Sequence, residues 1–489
     1  MRRLAPLFAL ALVAVAPASV RFRVTYPASV LAEPFTGRAV VFLSQSRAPR
    51  FGPNWFQPEP MLALDVKNIR PGQEIVVDSA SAVVFPRDFS LAKAGTFNVQ
   101  VVLDRNLGGR SIGESPGNLY SKPISIKFDP KADQDYTLVA DQVAAEPKFT
   151  ETANVKEFKI KSDLLSKFYG RPTEMKAAVA LPRGYADSPG RKYPVLYVIP
   201  GFGGNHYEWS GRNDVRGTDR AGEPFIQVLL NPDCTTGHSV FADSANNGPW
   251  GKALTTELIP ALEKQFRAVG TTDGRFVNGH SSGGWSSLWL QVAYPTVFGA
   301  VWSTSPDPVD FRDFQIINLY KDANMFTAPD GSRRPIARFG TQAALFYDSF
   351  SDMERPLGRG EQLGSFDGVF SPRGKDGLPV PLWDRITGKI DPKVAEYWKR
   401  YDIGLTLRTN WKTLGPQLKG KLHVYTGNID TFYLEGAVRL LIKDMKALGS
   451  DAKIEVFPGD HGSVLSPALL NRIDQEMAAT WRANRAKSR

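Results

Sequence analysis

The chain is poor in cysteine, and several other features are absent from its sequence. Cys234 is the single cysteine among 489 residues, so an intrachain disulfide and a disulfide-stapled small fold are excluded. Beyond the N-terminus, no stretch approaches the roughly 18 consecutive apolar residues of a transmembrane helix. No repeat of roughly 20–50 residues is visible, which argues against a propeller. The sequence therefore predicts an ordinary globular protein with a core of its own.

The composition agrees with that prediction. Hydrophobic residues make up 42% and charged residues 22% of the chain, and its length predicts two or more domains. The formal net charge is +10 and the pI about 9.4, but the basic residues are scattered. Without zinc-finger spacing or a recognition-helix pattern, nucleic acid is not predicted as a partner. A solvated basic surface is the favoured interpretation, and a patch for anionic substrates or polymers is the alternative.

The N-terminus has the organisation of an export signal. Arg2 and Arg3 precede the apolar run from Leu4 to Ala16, which ends in Ala16-Pro17-Ala18. This order of charged, apolar and small-residue segments predicts a signal peptide over residues 1–18 and export to the periplasm or the medium. An uncleaved membrane anchor or a buried apolar segment is the alternative. No stable membrane insertion is expected after cleavage.

The next region has the pattern of β structure. Short runs that alternate or are apolar are separated by turn formers such as Pro71-Gly72 and Pro116-Gly117. The predicted strands are Val20 to Val24, Ala39 to Leu43, Phe97 to Leu103 and Ile124 to Phe128. This spacing predicts an all-β, sandwich-like domain over residues 19–130, followed by a polar linker at 131–152 with one further strand near Tyr136 to Ala140.

From residue 153 the pattern changes to strands that alternate with helices. The predicted strands are Val155 to Ile160, Met175 to Leu181, Tyr193 to Ile199, Phe225 to Leu230, Arg275 to Asn278, Ala300 to Ser303, Leu422 to Tyr425 and Lys453 to Phe457. Helical spacing is found at Ala253 to Phe266, Gly284 to Val292 and Leu434 to Leu448. The fold class predicted for 153–489 is α/β with a mostly parallel sheet. Residues 306–420 interrupt the rhythm and are interpreted as an insertion, either over the active-site end of the sheet or as surface decoration.

The strongest chemical signal is Gly279-His280-Ser281-Ser282-Gly283, between a predicted strand and a predicted helix. A serine nucleophile must stand clear of its own backbone, and a sharp strand-to-helix turn achieves this if small residues flank it. Ser281 is therefore the predicted nucleophile. The alternative is a glycine-rich turn with an idle serine.

A nucleophilic serine requires a general base, and the chain has five histidines. His206 and His238 precede Ser281, His280 lies inside the turn and is expected to point away from Ser281, and His423 lies within a predicted buried strand. His461 follows the last predicted strand and is the predicted base, because this fold class runs serine, acid, histidine along the chain.

The predicted acid is Asp430, which follows the strand Leu422 to Tyr425 in Gly427-Asn428-Ile429-Asp430. It would orient the imidazole and stabilise the imidazolium. The competing acids are Asp460, expected to shape its own turn, and Asp307 and Asp310, which follow an earlier strand.

The developing oxyanion needs two backbone donors. The N–H of Ser282 is one candidate, and the glycine-rich loop after Ile199 supplies Phe202 or Gly203 as the other, unless that loop is a plain turn. His206, Trp209, Trp250 and Trp285 lie near the predicted catalytic loops in the sequence and are candidates for the substrate pocket. Trp285 has helix packing as its alternative.

These motifs together resemble the Putative esterase family, which includes esterase D, enterochelin esterases, feruloyl esterase modules and mycolyltransferases. The matching segments are Tyr193 to Gly204, Phe241 to Trp250, Glu257 to Pro260, Gly279 to Gly284, Gly427 to Asp430 and Asp460 to Gly462. The resemblance implies an α/β-hydrolase fold, a Ser281–Asp430–His461 triad and hydrolysis of carboxylic esters through an acyl-enzyme. The β region ahead of the hydrolase is similar in layout to enterochelin esterases. The long segment 306–420 departs from the family and leaves the substrate open.

The leading hypothesis is an exported serine esterase. No metal or organic cofactor is expected, because the sequence contains no zinc-binding spacing such as His-Glu-x-x-His. Siderophore, feruloyl or aryl, and sugar esters are all open as substrates, and so is the oligomeric state. Acyl transfer to an alcohol would use the same triad. A prolyl-oligopeptidase-like peptidase is disfavoured by the short β region without repeats. A catalytically inactive binding protein on the same fold is the alternative from another class.

Overall fold

The computed structural model describes residues 18–487, which divide into two compact units. The predicted signal peptide falls almost entirely on residues 1–17, outside the described residues. The first unit, here called the β unit, comprises the described part of Met1–Pro53 together with Pro58–Arg105 and Leu119–Val143. The second, the α/β unit, comprises Asn54–Gln57, Asn106–Asn118 and Ala144–Arg489. Two short segments from early in the sequence therefore belong to the α/β unit, contrary to the continuous ranges expected from the sequence.

The β unit consists of strands that form two sheets. One has the order β4-β1-β9, and the other has the order β10-β7-β6-β2-β3-β5, with β8 paired to β6. The strands are β1 Val20–Thr25, β2 Phe35–Ser44, β3 Met61–Ile69, β4 Ile75–Asp78, β5 Val83–Phe85, β6 Gly95–Asp104, β7 Leu119–Tyr120, β8 Ile124–Phe128, β9 Gln134–Val139 and β10 Gln142–Val143.

In β1, buried apolar residues alternate with outward-facing arginines, which is the pattern of a strand with one face in the core. Val20, Phe22 and Val24 are fully buried, whereas Arg21 and Arg23 point outward to Asp78 and Asp135. Apolar residues of both sheets share one hydrophobic core. The range predicted as a linker, 131–152, contains β9, which pairs in parallel with β1, so its first half is part of the sheet. The strands β3, β4 and β5 were not predicted.

The α/β unit is built on an eight-stranded sheet with the order β11-β12-β14-β13-β15-β16-β19-β20. All neighbours from β14 to β20 along that order are parallel, while β12 is antiparallel to β11 and β14. The strands are β11 Val155–Lys161, β12 Glu174–Ala180, β13 Val195–Ile199, β14 Ile226–Leu230, β15 Arg275–His280, β16 Ala300–Thr304, β19 Leu422–Gly427 and β20 Lys453–Phe457, with the hairpin β17 Pro335–Phe339 and β18 Gln342–Phe346 outside this sheet. The α/β fold class is confirmed, and each of the eight sheet strands overlaps a predicted one.

The helices of this unit lie between the strands. They are α1 Asp163–Tyr169, α2 Trp250–Ala253, α3 Ile259–Gln265, α4 Ser282–Ala293, α5 Tyr347–Leu357, α6 Gln362–Phe370, α7 Pro392–Trp398, α8 Ile403–Leu418, α9 Glu435–Ala447 and α10 Pro467–Lys487. The predicted helix from Ala253 to Phe266 is present as α2 and α3 joined by a π-helical turn at Leu254–Leu258. Between residues 18 and 487, no helix combines the length and the apolar character that a membrane crossing requires.

The segment predicted as an insertion, 306–420, is structured throughout most of its length. It contains the β17–β18 hairpin and four helices, α5 to α8. The sequence predicts a helix here only at Pro392 to Tyr401, which covers α7 and the 3-10 turn Lys399–Tyr401. Its aromatic residues pack together: Phe311, Phe314, Phe370 and Trp398 form a cluster of ring contacts. These ring contacts join α6 and α7 to the start of the segment.

Candidate active site

Ser281 stands at the junction between β15 and α4, as its motif predicts. β15 ends at His280, α4 begins at Ser282, and Ser281 itself has φ 60° and ψ −126°. Such a backbone conformation is rare and strained for a residue with a side chain. The Ser281 backbone N–H donates to the carbonyl of Thr304 at 3.0 Å, which ties the turn to the end of β16.

Gly279 and Gly283, on either side of Ser281, lie so close to other backbone atoms that no side chain fits at these positions. A Cβ at Gly279 would lie 2.1 Å from the carbonyl oxygen of Gly283, and a Cβ at Gly283 would lie 2.1 Å from that of Ile199. No side chain tolerates such distances, so the turn can form only with glycine at both positions. The motif spacing is thus a packing requirement of this turn.

The structure brings His461 and Asp430 together. His461 Nδ1 lies 2.8 Å from Asp430 Oδ2, and the Asp430 side chain is fully buried. Asp430 Oδ1 accepts the backbone N–H of Phe432 at 2.9 Å, so the carboxylate is held from both sides. A carboxylate accepts hydrogen bonds, so Nδ1 carries the proton and Nε2 is left with its lone pair. This is the tautomer that a general base acting through Nε2 needs.

Two rings surround the His461 imidazole. The His280 ring centroid lies 4.5 Å from it, and the Phe432 ring meets it edge-on at 5.0 Å. Burial, and next the neighbouring His461, lower the pKa of His280 to about 4, so His280 is neutral. His280 was expected to point away from Ser281; it is among the residues that line the Ser281 cavity, and its ring contacts that of His461.

Ser281 and His461 line one cavity of about 300 Å³. Its walls are mainly apolar, with Asp307, Gln315 and Gln362 as the polar members besides the two histidines and the serine. The apolar wall consists of Trp55, Phe202, Ile336, Leu345, Phe350, Phe366 and Phe432. A concave, mostly apolar site with a few convergent polar groups is the usual form of a small-molecule site.

The loop after β13 approaches Ser281 from the other side. Gly201 and Phe202 line the cavity, and a Cβ at Gly201 would lie 3.5 Å from the Ser281 Cβ. The loop is held by a turn, in which Gly204 N–H donates to Gly201 O at 3.1 Å. His238 supports it from below: its Nδ1 accepts the Val240 N–H, so its Nε2–H donates to Pro200 O at 3.4 Å. Of the predicted oxyanion donors, Phe202 therefore lies at the cavity.

The remaining two candidate donors differ in position. Gly203, with φ 87°, lines a different and larger cavity of about 630 Å³. Ser282 follows Ser281 directly, and its hydroxyl donates to Asp307 Oδ2 at 2.6 Å. That hydrogen bond anchors the first residue of α4.

The competing acids are not bonded to His461. Asp460 accepts hydrogen bonds from Gly462 and Ser463, so it shapes its turn as expected. Asp310 is paired with Arg312 and Arg408. Asp307 faces the cavity, and its partners are Ser282 and Gln362.

The four pocket candidates chosen from the sequence lie away from the Ser281 cavity. His206 is buried against Phe149 and bonded to Glu157, and Trp209 belongs to a core cluster. Trp250 lines the larger cavity, and Trp285 stacks on Trp289 within α4 packing. Proximity in sequence to the catalytic loops placed them wrongly, since these side chains point into the core or away from the cavity.

The actual cavity walls include residues that sequence reasoning missed. Trp55 comes from the segment Asn54–Gln57, its indole N–H donates to Glu361 Oε2 at 2.7 Å, and its ring meets Phe350 edge-on at 4.9 Å. Phe350 and Gln362 come from α5 and α6. No motif marks these positions; the Asn54-Trp55-Phe56 run after a proline was the only local signal.

Comparison with known proteins bears on the family resemblance of the chain. The family model described as Putative esterase matches residues 171–402, which confirms the resemblance seen in the sequence. Esterase Rv1288 of Mycobacterium tuberculosis is 34% identical over 148 residues, which cover 28% of this chain and 30% of that protein. The probable dipeptidyl-peptidase 5 of Aspergillus clavatus is 24% identical over 255 residues, covering 48% of this chain and 34% of that protein. The chain thus spans about a third of the length of these relatives.

Solved structures with a similar arrangement include a ferulic acid esterase and an S-formylglutathione hydrolase from Agrobacterium tumefaciens. The first is 14% identical, with 68% of this chain and 100% of that chain covered and a TM-score of 0.41. The second is also 14% identical, with 68% and 98% covered and a TM-score of 0.39.

Proposed function

Because residues 171–402 of this chain match the Putative esterase family, we propose that the protein is a serine hydrolase of carboxylic esters. Ser281 attacks the ester carbonyl, and His461 Nε2 takes the serine proton and returns it to the leaving alcohol. Asp430 holds His461 through Nδ1 and stabilises the imidazolium. Water then attacks the acyl-enzyme with His461 as its base, which restores Ser281.

The observation that carries this proposal is the pairing of His461 Nδ1 with the buried Asp430 at 2.8 Å in the cavity that Ser281 lines. The strained φ of 60° at Ser281 supports it, because strain of this kind is maintained where a side chain must be presented. The backbone N–H groups of Phe202 and Ser282 are the proposed oxyanion donors, with Gly203 as the further candidate.

Acyl transfer is the second candidate activity. The triad would be identical, and an alcohol would replace water in the second step. The acceptor alcohol would have to reach the acyl group in the cavity of about 300 Å³ that Ser281 and His461 line. Product analysis with and without added alcohols distinguishes the two reactions.

Hydrolysis of p-nitrophenyl acetate and butyrate by the wild type and by Ser281→Ala tests the proposal. We expect a loss of at least about 10³-fold in kcat/KM for the variant, since the nucleophile is removed. A fluorophosphonate should label the wild type and leave Ser281→Ala unlabelled. Equal rates for the two proteins, or no labelling of Ser281, would favour the binding-protein alternative.

We also propose that the chain is exported after cleavage near Ala18 and that the β unit, in place of the continuous range 19–130 expected from the sequence, forms a separate sandwich-like domain. The charged, apolar and small-residue order of residues 2–18 supports export. The two sheets with a common core support the domain. N-terminal sequencing of the secreted protein tests the first, and proteolysis that releases a resistant N-terminal fragment tests the second.

A further inference from the structure

Asp307 is a buried carboxylate that the proposed ester hydrolysis does not use. It follows β16, is 7% exposed, and lines the same cavity as Ser281 and His461. Its backbone N–H donates to the Ser281 carbonyl at 3.2 Å, so its position relative to the nucleophile is fixed. Among the described residues it has no ion-pair partner. Buried charges are normally paired, because an unpaired ion in an apolar environment is costly.

Only one of its two oxygens is occupied. Oδ2 accepts the Ser282 hydroxyl at 2.6 Å and the Gln362 amide N–H at 3.3 Å. Oδ1 accepts no hydrogen bond from residues 18–487. Gln362 also lines the cavity, and its amide nitrogen is directed toward Asp307 and Ser282. The role of Asp307 in anchoring Ser282 therefore uses Oδ2 only. Oδ1 is left as a hydrogen-bond acceptor to which no described residue donates.

The surroundings would strengthen any hydrogen bond to that oxygen. The facing side chains are largely aromatic and aliphatic. Among the titratable neighbours, a charge on His461 lowers the pKa of Asp307, the charge on Asp430 raises it, and the Tyr347 phenol also interacts with Asp307. Burial dominates and raises the pKa of Asp307 to about 6, so the carboxyl is mainly ionised at neutral pH. In such an environment, a ligand that leaves a buried polar group without its hydrogen-bond partner binds much more weakly than one that supplies the partner.

We propose that Asp307 is a substrate-binding residue that accepts a hydrogen bond from a hydroxyl or ammonium group on the acyl part of the ester. The inference rests on the proposed esterase function. The acyl side is indicated because Asp307 is bonded to Ser282, on the oxyanion side of Ser281. The leaving alcohol must lie against His461, which protonates it. The enzyme would thus prefer acyl groups that are mainly apolar but carry one hydrogen-bond donor.

An isosteric substrate series tests the proposal. Ethyl esters of 3-methyl-, 3-hydroxy- and 3-aminobutanoic acid differ at one position by a methyl, a hydroxyl or an ammonium group. The para-methyl, para-hydroxy and para-aminomethyl 3-phenylpropanoates place the donor farther from the carbonyl. In at least one series, the wild type should show a kcat/KM about tenfold or more higher for a donor-bearing ester than for its methyl isostere.

Two variants separate recognition from support of the turn. Asp307→Leu removes the acceptor and should abolish the preference, so that the ratio of donor-bearing to methyl ester falls to about 1. Asp307→Asn keeps a carbonyl acceptor without the charge, so it should retain the hydroxyl preference and lose the ammonium preference. If Asp307→Leu lowered the rates of all esters by the same factor, Asp307 would only position Ser282 and the proposal would be overturned. Lack of any preference in the wild type would overturn it as well.

Binding to Ser281→Ala keeps the test independent of turnover. Calorimetric Kd values for the same esters should show the donor preference in Ser281→Ala and lose it in the Ser281→Ala, Asp307→Leu double variant. If the wild type hydrolysed none of the esters but this binding difference were present, the proposed esterase function would be wrong and the proposed role of Asp307 in binding would be supported. Hydrolysis without any difference in rate or binding would support the esterase function and overturn the donor site.

Discussion

At the scale of single residues, the proposed function depends on which nitrogen of His461 carries a proton. Asp430 is fully buried and takes Nδ1–H, which directs the Nε2 lone pair away from it. The neutral His280 ring and Phe432 pack against the imidazole and restrict its rotation. The base is therefore oriented by one hydrogen bond and two ring contacts.

Asp430→Asn should lower kcat for p-nitrophenyl butyrate by about 10³–10⁴-fold with little change in fold. The amide can donate a hydrogen bond to Nδ1, which would leave the proton on Nε2 and give the wrong tautomer. The far-ultraviolet spectrum and the unfolding midpoint provide the folding check. Asp460→Asn is the matched control and should keep most of the activity, because Asp460 bonds only its own turn. A larger loss in Asp460→Asn than in Asp430→Asn would reverse the assignment.

Asp307→Asn should stabilise the protein at neutral pH. The pKa of Asp307 is raised from 3.8 to about 6 in the fold, chiefly by burial, so folding disfavours its ionised form. Its contribution to stability is complete below about pH 4 and is lost as the pH rises to about 6. The variant should therefore gain up to about 3 kcal/mol in the free energy of unfolding at pH 8 and nothing near pH 4.

Urea unfolding of both proteins from pH 4 to pH 8 measures this difference. A difference that stays constant with pH would show that the carboxyl titrates normally in the folded protein. A variant that is less stable at pH 8 would show that the charge is compensated by a favourable interaction.

At the scale of secondary-structure elements, the site is made by strand ends and by the elements packed over them. Ser281, Asp430 and His461 follow β15, β19 and β20, whose carboxyl ends meet at one edge of the parallel sheet. Residues of the β17–β18 hairpin, α5 and α6 supply much of the apolar wall. The sheet thus positions the three proposed reacting groups, and the segment 306–420 shapes the space around them.

Gly283→Ala should disrupt the turn that presents Ser281. The added methyl would lie 2.1 Å from Ile199 O and 2.7 Å from Pro200 O, so the first turn of α4 must shift away from β13. We expect a loss of at least about 100-fold in kcat/KM and in fluorophosphonate labelling rate, because a displacement near 1 Å is costly at a reacting group. Gly190→Ala is the control, since a Cβ there meets nothing within 4 Å. Wild-type labelling of Gly283→Ala would contradict the geometry.

Glu354→Ala should loosen α6. Glu354 in α5 accepts the backbone N–H groups of Leu363 at 2.8 Å and Gly364 at 3.0 Å, which lie in the first turn of α6. Removing a buried cap of this kind costs about 2 kcal/mol. Because α6 carries Gln362 and Phe366, KM for apolar esters should rise as well. Glu354→Gln keeps one acceptor oxygen and should be intermediate; equal stability of the wild type and Glu354→Ala would exclude the capping role.

At the scale of the whole molecule, the α/β sheet is closed on one side by α10. Ile473, Met477 and Trp481 of this helix pack with Trp302 of β16 in one core cluster. Tyr425 and Trp302 donate to Glu476 at 2.7 and 3.1 Å, so polar contacts also fix the helix against the sheet. None of the residues of α10 lines the Ser281 cavity.

Met477→Ala should therefore separate stability from activity. Met477 is fully buried, and its truncation should cost about 2–4 kcal/mol in the free energy of unfolding of the α/β unit. At 25 °C kcat/KM should stay within about twofold of the wild type, because the cavity is not touched. Gln475→Ala, at an exposed position of the same helix, should change stability by less than about 0.5 kcal/mol. A large activity loss in a folded Met477→Ala protein would show that α10 is coupled to the site.

The sequence alone determined the sheet of the α/β unit and the turn around Ser281, and it predicts His461 as the base over the other four histidines. Periodicity, glycine spacing and the order of residues along the chain are local properties, and they decide local structure. The prediction of Asp430 as the partner of His461 also depended on this order, since both residues follow strands of the same sheet edge.

Only the tertiary structure decided which side chains line the cavity. Trp55 lies more than 200 positions before Ser281, and Phe350 and Gln362 come from α5 and α6, two helices that the sequence did not predict, so no local pattern connects them to the site. The four residues chosen from the sequence as pocket candidates do not line the Ser281 cavity for the same reason, because the direction of a side chain near such a loop depends on how distant elements pack. The free oxygen of Asp307 belongs to this class too: its surroundings are created by segments that meet only when the chain is folded.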